Sequence, residues 1–515
     1  MLQLLPLGEQ NFETLREEGL LYVDKTALIY RLTHMGSKFV FLSRPRRFGK
    51  SLLVSTLKAY FQGRRELFKG LAAEDLEKEW NAHPVLHFDF STIKDVTKET
   101  LEGELNAKLL EYERLYGRDA EMLEPNQRLG NLIKRANEQT GKKVVLLVDE
   151  YDAPLLEVMQ DEALLAKIRT VMRNFYAPLK ACSGYLRFVF LTGITKVSQL
   201  SIFSELNNIK NVSMLPEFAA LCGIAEPEMT MQLSAHIEAL AKELEVPHEE
   251  AVLRLKEMYD GYRFAWPSPG IYNPYSLLNA LSDCKLGNYW FASGTPGYLV
   301  ELLGKVKVPL TAIEPAECAE EEFDVPIERN VQALPLLYQS GYLTIKNYDK
   351  ASGLYTLAYP NAEVRVGMTR SLLSNYVENP GRLVSVVLKM NSLLAKGELD
   401  GTFRLMQQTF ATVPYCAGAN TEGHYQAMMV LMFKLLGQEV EPEIRTAKGR
   451  IDLVLWRKEA IYLMELKLCG TAQEALAQID ERRYAEKFAL DNRPVVKVGL
   501  AFDVEKRTLG EWVIA

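Results

Sequence analysis

Near the C-terminal end, Asp452 and the triplet Glu465-Leu466-Lys467 have the residue types and spacing that phosphodiester hydrolysis needs. Gly449 to Trp456 and Ile461 to Lys467 flank Arg457-Lys458-Glu459-Ala460 and read as two strands of a hairpin. Side chains alternate across a strand, so Glu465 and Lys467 share a face, and an even-numbered turn centred on Lys458-Glu459 sets Asp452 opposite Glu465. Opposed Cβ atoms lie about 5 Å apart, and two carboxylates that close repel unless one is protonated or a cation lies between them. The expected occupant is a hard divalent metal, Mg2+, held by Asp452 and Glu465. It would polarise a phosphoryl oxygen and generate hydroxide, while the Lys467 ammonium orients water or steadies developing charge. The bland alternative, a solvated surface hairpin, fits poorly with the apolar runs on both sides.

A second constellation lies near the other end. The apolar strand Phe39 to Leu42 runs into Ser43-Arg44-Pro45-Arg46-Arg47-Phe48-Gly49-Lys50-Ser51 and then a helical stretch to about Phe61. Amides at a helix N-terminus, with Gly49, Lys50 and Ser51 in order, outline a phosphate-binding loop for ATP: Lys50 reaches the terminal phosphates and the Ser51 hydroxyl ligates Mg2+. Lys50 is expected on a surface loop, so its loss should leave the fold intact. Arg44 stands where the usual pattern has its first glycine; arginine adopts positive φ only at a cost, so the loop must close by another backbone path. Arg46 and Arg47 beside it are either phosphate contacts or a solvated basic patch.

The partner of that loop is Val144 to Asp149-Glu150, an unbroken apolar strand of the kind buried on both faces of a parallel sheet. Ligands sit at the ends of such strands. Asp149 would hold Mg2+ and Glu150 would orient or deprotonate the attacking water. A third apolar strand, Leu186 to Leu191, ends at Thr192-Gly193-Ile194-Thr195, where Thr192 or Thr195 could sense the terminal phosphate.

The remaining elements position these residues. Thr421 to Leu436 carries apolar residues at helical spacing from Tyr425, with Thr421 as N-cap, Gly437 past the end, and Glu422 in the first turn as a further metal carboxylate. Thr471 to Phe488 reads as another helix, with Gln478 near its buried stripe, before a strand at Val495 to Ala501. Glu226 to Met258 is helical and suits a lid. Leu334 to Leu357 reads as a helix end and hairpin, a small winged-helix-like element. Arg445, Lys448, Arg450, Arg482, Arg483 and Lys487 are candidate phosphate contacts or a solvated rim.

Helix, hairpin, helix, strand around Glu422, Asp452 and Glu465-Leu466-Lys467 resembles the core of the PD-(D/E)XK nuclease superfamily. Arg44-Pro45-Arg46-Arg47-Phe48-Gly49-Lys50-Ser51 resembles the degenerate loop of bacterial AAA-ATPase-like proteins, in which such a nuclease domain commonly follows. Leu21 to Thr26, Val148 to Leu155, Leu206-Asn207-Asn208, Tyr259 to Tyr262 and Tyr272 to Tyr275 are similar to the same family. The resemblance implies an α/β chain in three parts. They are a P-loop parallel sheet over 1–225, a helical lid with a winged-helix-like middle region over 226–375, and a restriction-endonuclease-like α/β domain over 376–515. It implies an ATPase and a nuclease acting on DNA, with homo-oligomerisation open. A second reading is a nucleotide-switched nucleic-acid-binding or signalling protein in which at least one site does not turn over.

Composition agrees with a multidomain enzyme that folds in water: 515 residues, 48% hydrophobic and 25% charged. No apolar run approaches a membrane span, and the short apolar start lacks a basic leader. Six scattered cysteines without Cys-x-x-Cys spacing fit free thiols in a reducing cytoplasm. With six dispersed histidines, neither a zinc site nor a histidine-dependent nucleophile has an anchor. A net charge of −7 makes any DNA binding local.

Overall fold

In the computed structural model the described residues are 2–159, 161–196, 208–294, 315–324, 333–373, 386, 389–394, 396–410, 421–436, 438–446 and 448–515. They divide into two compact units, Met1–Trp290 with Glu317–Asn361, and Phe291–Ala316 with Ala362–Ala515.

The first unit is built on a parallel sheet of β1 (Phe39–Ser43), β2 (Val85–Asp89), β3 (Val144–Asp149), β4 (Leu186–Gly193) and β5 (Lys210–Asn211), in the order β2-β3-β4-β1-β5. Every residue of β3 is buried, as its unbroken apolar run requires of a strand covered on both faces. Helices Lys98–Tyr116, Pro125–Thr140 and Glu162–Tyr176 send Leu105, Leu132 and Ile168 into that core. Because β3, β4 and β1 are neighbours, the chain leaves three adjacent strand ends at the same edge.

The expected lid helix is three helices, Glu226–Gln232, Ser234–Glu243 and His248–Tyr259, around a core that includes Leu233, Ile237, Leu240 and Leu255. Pro247 introduces the third of them. Two-residue strands β6 (Ile224–Ala225) and β7 (Ile271–Tyr272) pair beside them. The anticipated helix and hairpin are helix Ala333–Gln339 and the antiparallel strands β9 (Thr344–Asp349) and β10 (Leu354–Ala358), joined by β8 (Ala316–Cys318) in the order β8-β10-β9.

The second unit carries a mixed sheet, β11 (Glu439–Thr446), β12 (Gly449–Trp456), β13 (Ile461–Lys467), β14 (Val495–Asp503) and β15 (Thr508–Ile514), in sequential order. Only the β13–β14 pair is parallel, and helix Ala472–Glu481 is its crossover. One sheet face packs on helices Leu399–Phe410 and Glu422–Leu435 through Phe403, Met429, Leu453 and Met464. The other covers Ile451, Val454 and Leu463 with Ile479, Tyr484 and Phe488. A Cβ on Gly499 would lie 2.0 Å from the Ala472 carbonyl, so glycine there lets the crossover helix sit against β14. The sequence reading of one helix to Phe488 is corrected: the helix ends at Glu481, and Arg483, at φ 51, turns Tyr484 and Phe488 into that second core. Gly437, the expected end of the preceding helix, and Leu206 and Asn207 lie outside the described residues. No helix among the described residues is long and apolar enough to cross a membrane.

Candidate functional site

In the first unit the loop after β1 takes its positive φ at Arg47 (65°) and at Gly49 (89°), the residue that starts helix Lys50–Phe61. Arg44 is not among the residues with positive φ, which answers how the loop closes without its first glycine. Its side chain turns inward instead and is 2% exposed. The guanidinium donates to the carbonyls of Ser43 (2.8 Å), Ser213 (2.9 Å) and Phe218 (3.1 Å), and lies 4.2 Å from the centre of the Phe264 ring. Burial pulls its pKa down to about 10. Arg44 is thus a staple between the loop and segment 213–218. Arg46 and Arg47 are exposed, with the Arg47 guanidinium 4.0 Å from the Tyr275 ring centre.

Lys50 corrects the surface-loop expectation: it is 3% exposed. Its ammonium donates to the carbonyls of Arg44 (3.1 Å) and Pro45 (3.2 Å) and pairs with Glu150 at 3.2 Å. Asp149 is buried at the end of β3, and its carboxyl is pushed up to about 6, chiefly by burial, against a lowering hydrogen bond from Ser51. Glu150 follows at φ 49, an uncommon conformation for a non-glycine residue. The loop, Ser51, Asp149 and Glu150 therefore meet, as their types suggest.

Thr192 does not join them in the expected way. It is fully buried and donates its hydroxyl to the Leu42 carbonyl at 2.8 Å, bridging β4 to β1. The Thr195 hydroxyl is donated to Asp152 at 2.6 Å. Two acids without an assigned role also belong here. Asp89, at the end of β2, pairs in register with Asp149 and raises its pKa. Asp152, buried and held up by burial and then by Glu150, accepts the amides of Ile194 and Thr195. Its signal was the third acid of Asp149-Glu150-Tyr151-Asp152. Beside Phe48 and Gly49 lies a mainly apolar cavity of about 90 Å³, lined also by Tyr22, Lys25, Leu53 and Cys222.

In the second unit the hairpin has the register read from the sequence. Trp456 pairs with Ile461 and Leu453 with Met464, so the next position sets Asp452 opposite Glu465. Strand pairing stops at Leu453, and there the Asp452 carboxylate takes over a strand acceptor's job: the Leu466 amide donates to its Oδ2 at 2.8 Å. Gln426, on helix Glu422–Leu435, donates to the Asp452 carbonyl at 2.8 Å. Burial raises the Asp452 pKa, the Leu466 amide lowers it, and Glu422 raises it again.

Glu465 is 2% exposed. Burial, then the Asp452 charge, pushes its carboxyl up to about 8. Helix Ala472–Glu481, capped by Thr471 and Glu474, delivers Gln478 between the two ends of the triplet. Its amide nitrogen donates to Glu465 Oε1, and its oxygen accepts from the Lys467 ammonium at 2.5 Å. Glu465 Oε2 has no hydrogen-bond partner among the described residues although it is buried. An orphaned carboxylate oxygen opposite a second carboxylate fits a hard divalent cation. Glu422 is exposed, and among the described residues no group of three His, Cys, Asp or Glu side chains is arranged to hold a metal, so the pair is the nucleus of this site.

Arg445, Lys448 and Arg450 flank the β11–β12 turn, and Arg482 and Lys487 reach it. Lys487 donates to the Arg445 carbonyl at 2.7 Å and Arg482 to that of Lys448 at 3.3 Å. Arg450 and Arg483 pair with Glu443 (3.0 Å) and Glu486 (3.5 Å).

Two family models match this chain: a predicted AAA-ATPase over residues 6–203 and the PD-(D/E)XK nuclease superfamily over 420–512. The curated "Uncharacterized protein in vnfD 5'region" of Azotobacter chroococcum mcd 1 is 32% identical over 522 residues, covering 99% of this chain and 98% of that protein.

Proposed function

The chain belongs to the family of predicted AAA-ATPases that end in a PD-(D/E)XK nuclease superfamily domain, and on that premise we propose an ATP-hydrolysing module joined to a magnesium-dependent DNA phosphodiesterase of the cytoplasm. The observation that carries the reading is Glu465: a buried carboxylate with one oxygen unpartnered, opposite Asp452 and tied through Gln478 to Lys467.

Asp452 and Glu465 hold Mg2+, with Glu422 within electrostatic reach at the start of its helix. The ion would supply Lewis acidity toward a phosphoryl oxygen and acidify a bound water. Gln478 keeps the Glu465 carboxylate turned to the site and the Lys467 ammonium beside it. Lys467 orients water or balances charge at the phosphorus. The cations of the β11–β12 turn meet the DNA backbone.

At the other site, loop amides and Lys50 hold the phosphates of ATP, and Ser51 with Asp149 holds Mg2+. Arg46 and Arg47 flank the phosphates, and the apolar cavity beside Gly49 accepts the base. Glu150 orients or deprotonates water once Lys50 has left it. Residues 1–225 make the nucleotide core, 226–375 the lid and winged element, and 376–515 the nuclease.

The Lys50–Glu150 pair favours a second reading, a nucleotide switch that does not turn over. Incubating the protein with labelled single-stranded, duplex and branched DNA, with Mg2+ and with or without ATP, decides between them. Cleavage and phosphate release support the enzyme; nucleotide binding with neither product supports the switch.

A further inference from the structure

The turn that carries Glu150 continues into Asp152, whose carboxylate accepts the Ile194 amide (3.0 Å), the Thr195 amide (2.6 Å) and the Thr195 hydroxyl (2.6 Å) at the end of β4. The next residue, Lys196, is bound twice to helices that follow in the same unit, at the ends of Ala333–Gln339 and Glu320–Phe323. Its amide donates to Gln339 Oε1 at 2.8 Å, and its ammonium pairs with Asp324. Gln339 donates in turn to the Phe323 carbonyl at 3.3 Å, so one side chain joins helix Ala333–Gln339 to the short helix Glu320–Phe323 and to the exit of β4.

The same element grips the phosphate loop by an independent contact. Gly341, at φ 87, lies so close to Pro45 that a Cβ there would be 2.7 Å from the proline ring. Tyr342 packs on Trp290 with ring centres 5.1 Å apart, and the Trp290 indole N–H donates to the Arg46 carbonyl at 3.1 Å.

We propose that residues 317–324 and 333–358 form a nucleotide-responsive arm, driven from the loop through Pro45 and from the acid turn through Asp152, Thr195 and Lys196. The proposal rests on the reading of the loop as an ATP site. Lys50 now donates to the carbonyls of Arg44 and Pro45 and pairs with Glu150. A triphosphate competes for that ammonium with a stronger, charge-assisted contact, which frees the two carbonyls and Glu150 together. Pro45 itself packs against Gly341 of the arm, and Glu150 lies two residues before Asp152, which holds Thr195 next to the arm-bound Lys196, so the nucleotide has a differential contact with which to bias the arm's position.

Hydrogen exchange across β9 and β10 in the full chain, with and without a non-hydrolysable ATP analogue and Mg2+, tests this beside calorimetric titration of the same analogue. In the wild type the analogue should change exchange in the hairpin by about fivefold or more. Asp324→Lys combined with Gln339→Ala should abolish that response while analogue binding persists. Asp324→Asn should weaken it, and the reversed pair Lys196→Asp with Asp324→Lys should restore it, which a merely misfolded variant would not allow. A silent hairpin in wild-type protein that binds the analogue overturns the arm alone. So does a full response in the Asp324→Lys, Gln339→Ala protein. Absence of binding by the wild type overturns the ATP-site reading, and the arm with it.

Discussion

The Lys50 ammonium lies 3.2 Å from the Glu150 carboxylate, so the cation expected to meet phosphate and the acid expected to activate water hold each other. Each is therefore released by whatever binds the other, and both behave as switchable groups.

Lys50→Ala should abolish ATP binding in a calorimetric titration and should also lower stability. The substitution leaves the Arg44 and Pro45 carbonyls without their donor and Glu150 without its cation, a cost of about 1–3 kcal/mol. Unchanged ATP affinity would remove this loop as the site.

Glu150→Gln should keep ATP and Mg2+ bound, with affinity equal to or above wild type because Lys50 loses a competing anion. Phosphate release should fall by about 10²–10⁴-fold. Undiminished release in the variant would strip Glu150 of its role.

Arg44→Ala should lower the melting temperature, since three carbonyls, two of them buried, lose their donor, with a cost on the order of 3 kcal/mol. Arg44→Lys should recover only part of it. A melting curve unmoved by Arg44→Ala would show that the staple contributes nothing.

Glu465 sets a pH signature. Its folded pKa, about 8, is raised above the ordinary 4.5, so the folded state keeps a proton that the unfolded chain has lost. In the metal-free protein this contribution to stability is fully present below about 4.5 and is lost as pH rises toward 8. Glu465→Gln should flatten that decline and melt higher than wild type above pH 8 without metal. Proton and metal compete for the same oxygens, so apparent Mg2+ affinity should fall as pH drops below about 8. Melting curves against pH with and without Mg2+ check both slopes.

Asp452→Asn should reduce cleavage by about 100-fold or more and blunt the stabilisation that Mg2+ or Mn2+ gives the wild type. Removing one of two facing carboxylates also relieves Glu465, so the metal-free variant should melt no lower than wild type apart from any loss at the Leu466 amide. Equal metal-induced shifts in both proteins would sink the metal site.

Local chemistry was enough to read much of this chain. Two apolar strands and a four-residue connection fix the β12–β13 register, so Asp452 facing Glu465 follows from the sequence, and the all-apolar Val144–Val148 run announces a strand covered on both faces. Contacts between residues far apart in the chain leave no such periodic trace. In sequence Arg44 only stands where the usual loop pattern has a glycine, and segment 213–218 and Phe264, brought beside it by the fold, turn it into a buried staple. Thr192 looked like a phosphate sensor until β1 arrived beside β4 and took its hydroxyl. Lys50 became buried, and Gln478 came to bridge Glu465 and Lys467, for the same reason: burial and hydrogen-bond partners are set by which elements pack together, and sequence spacing alone does not encode them.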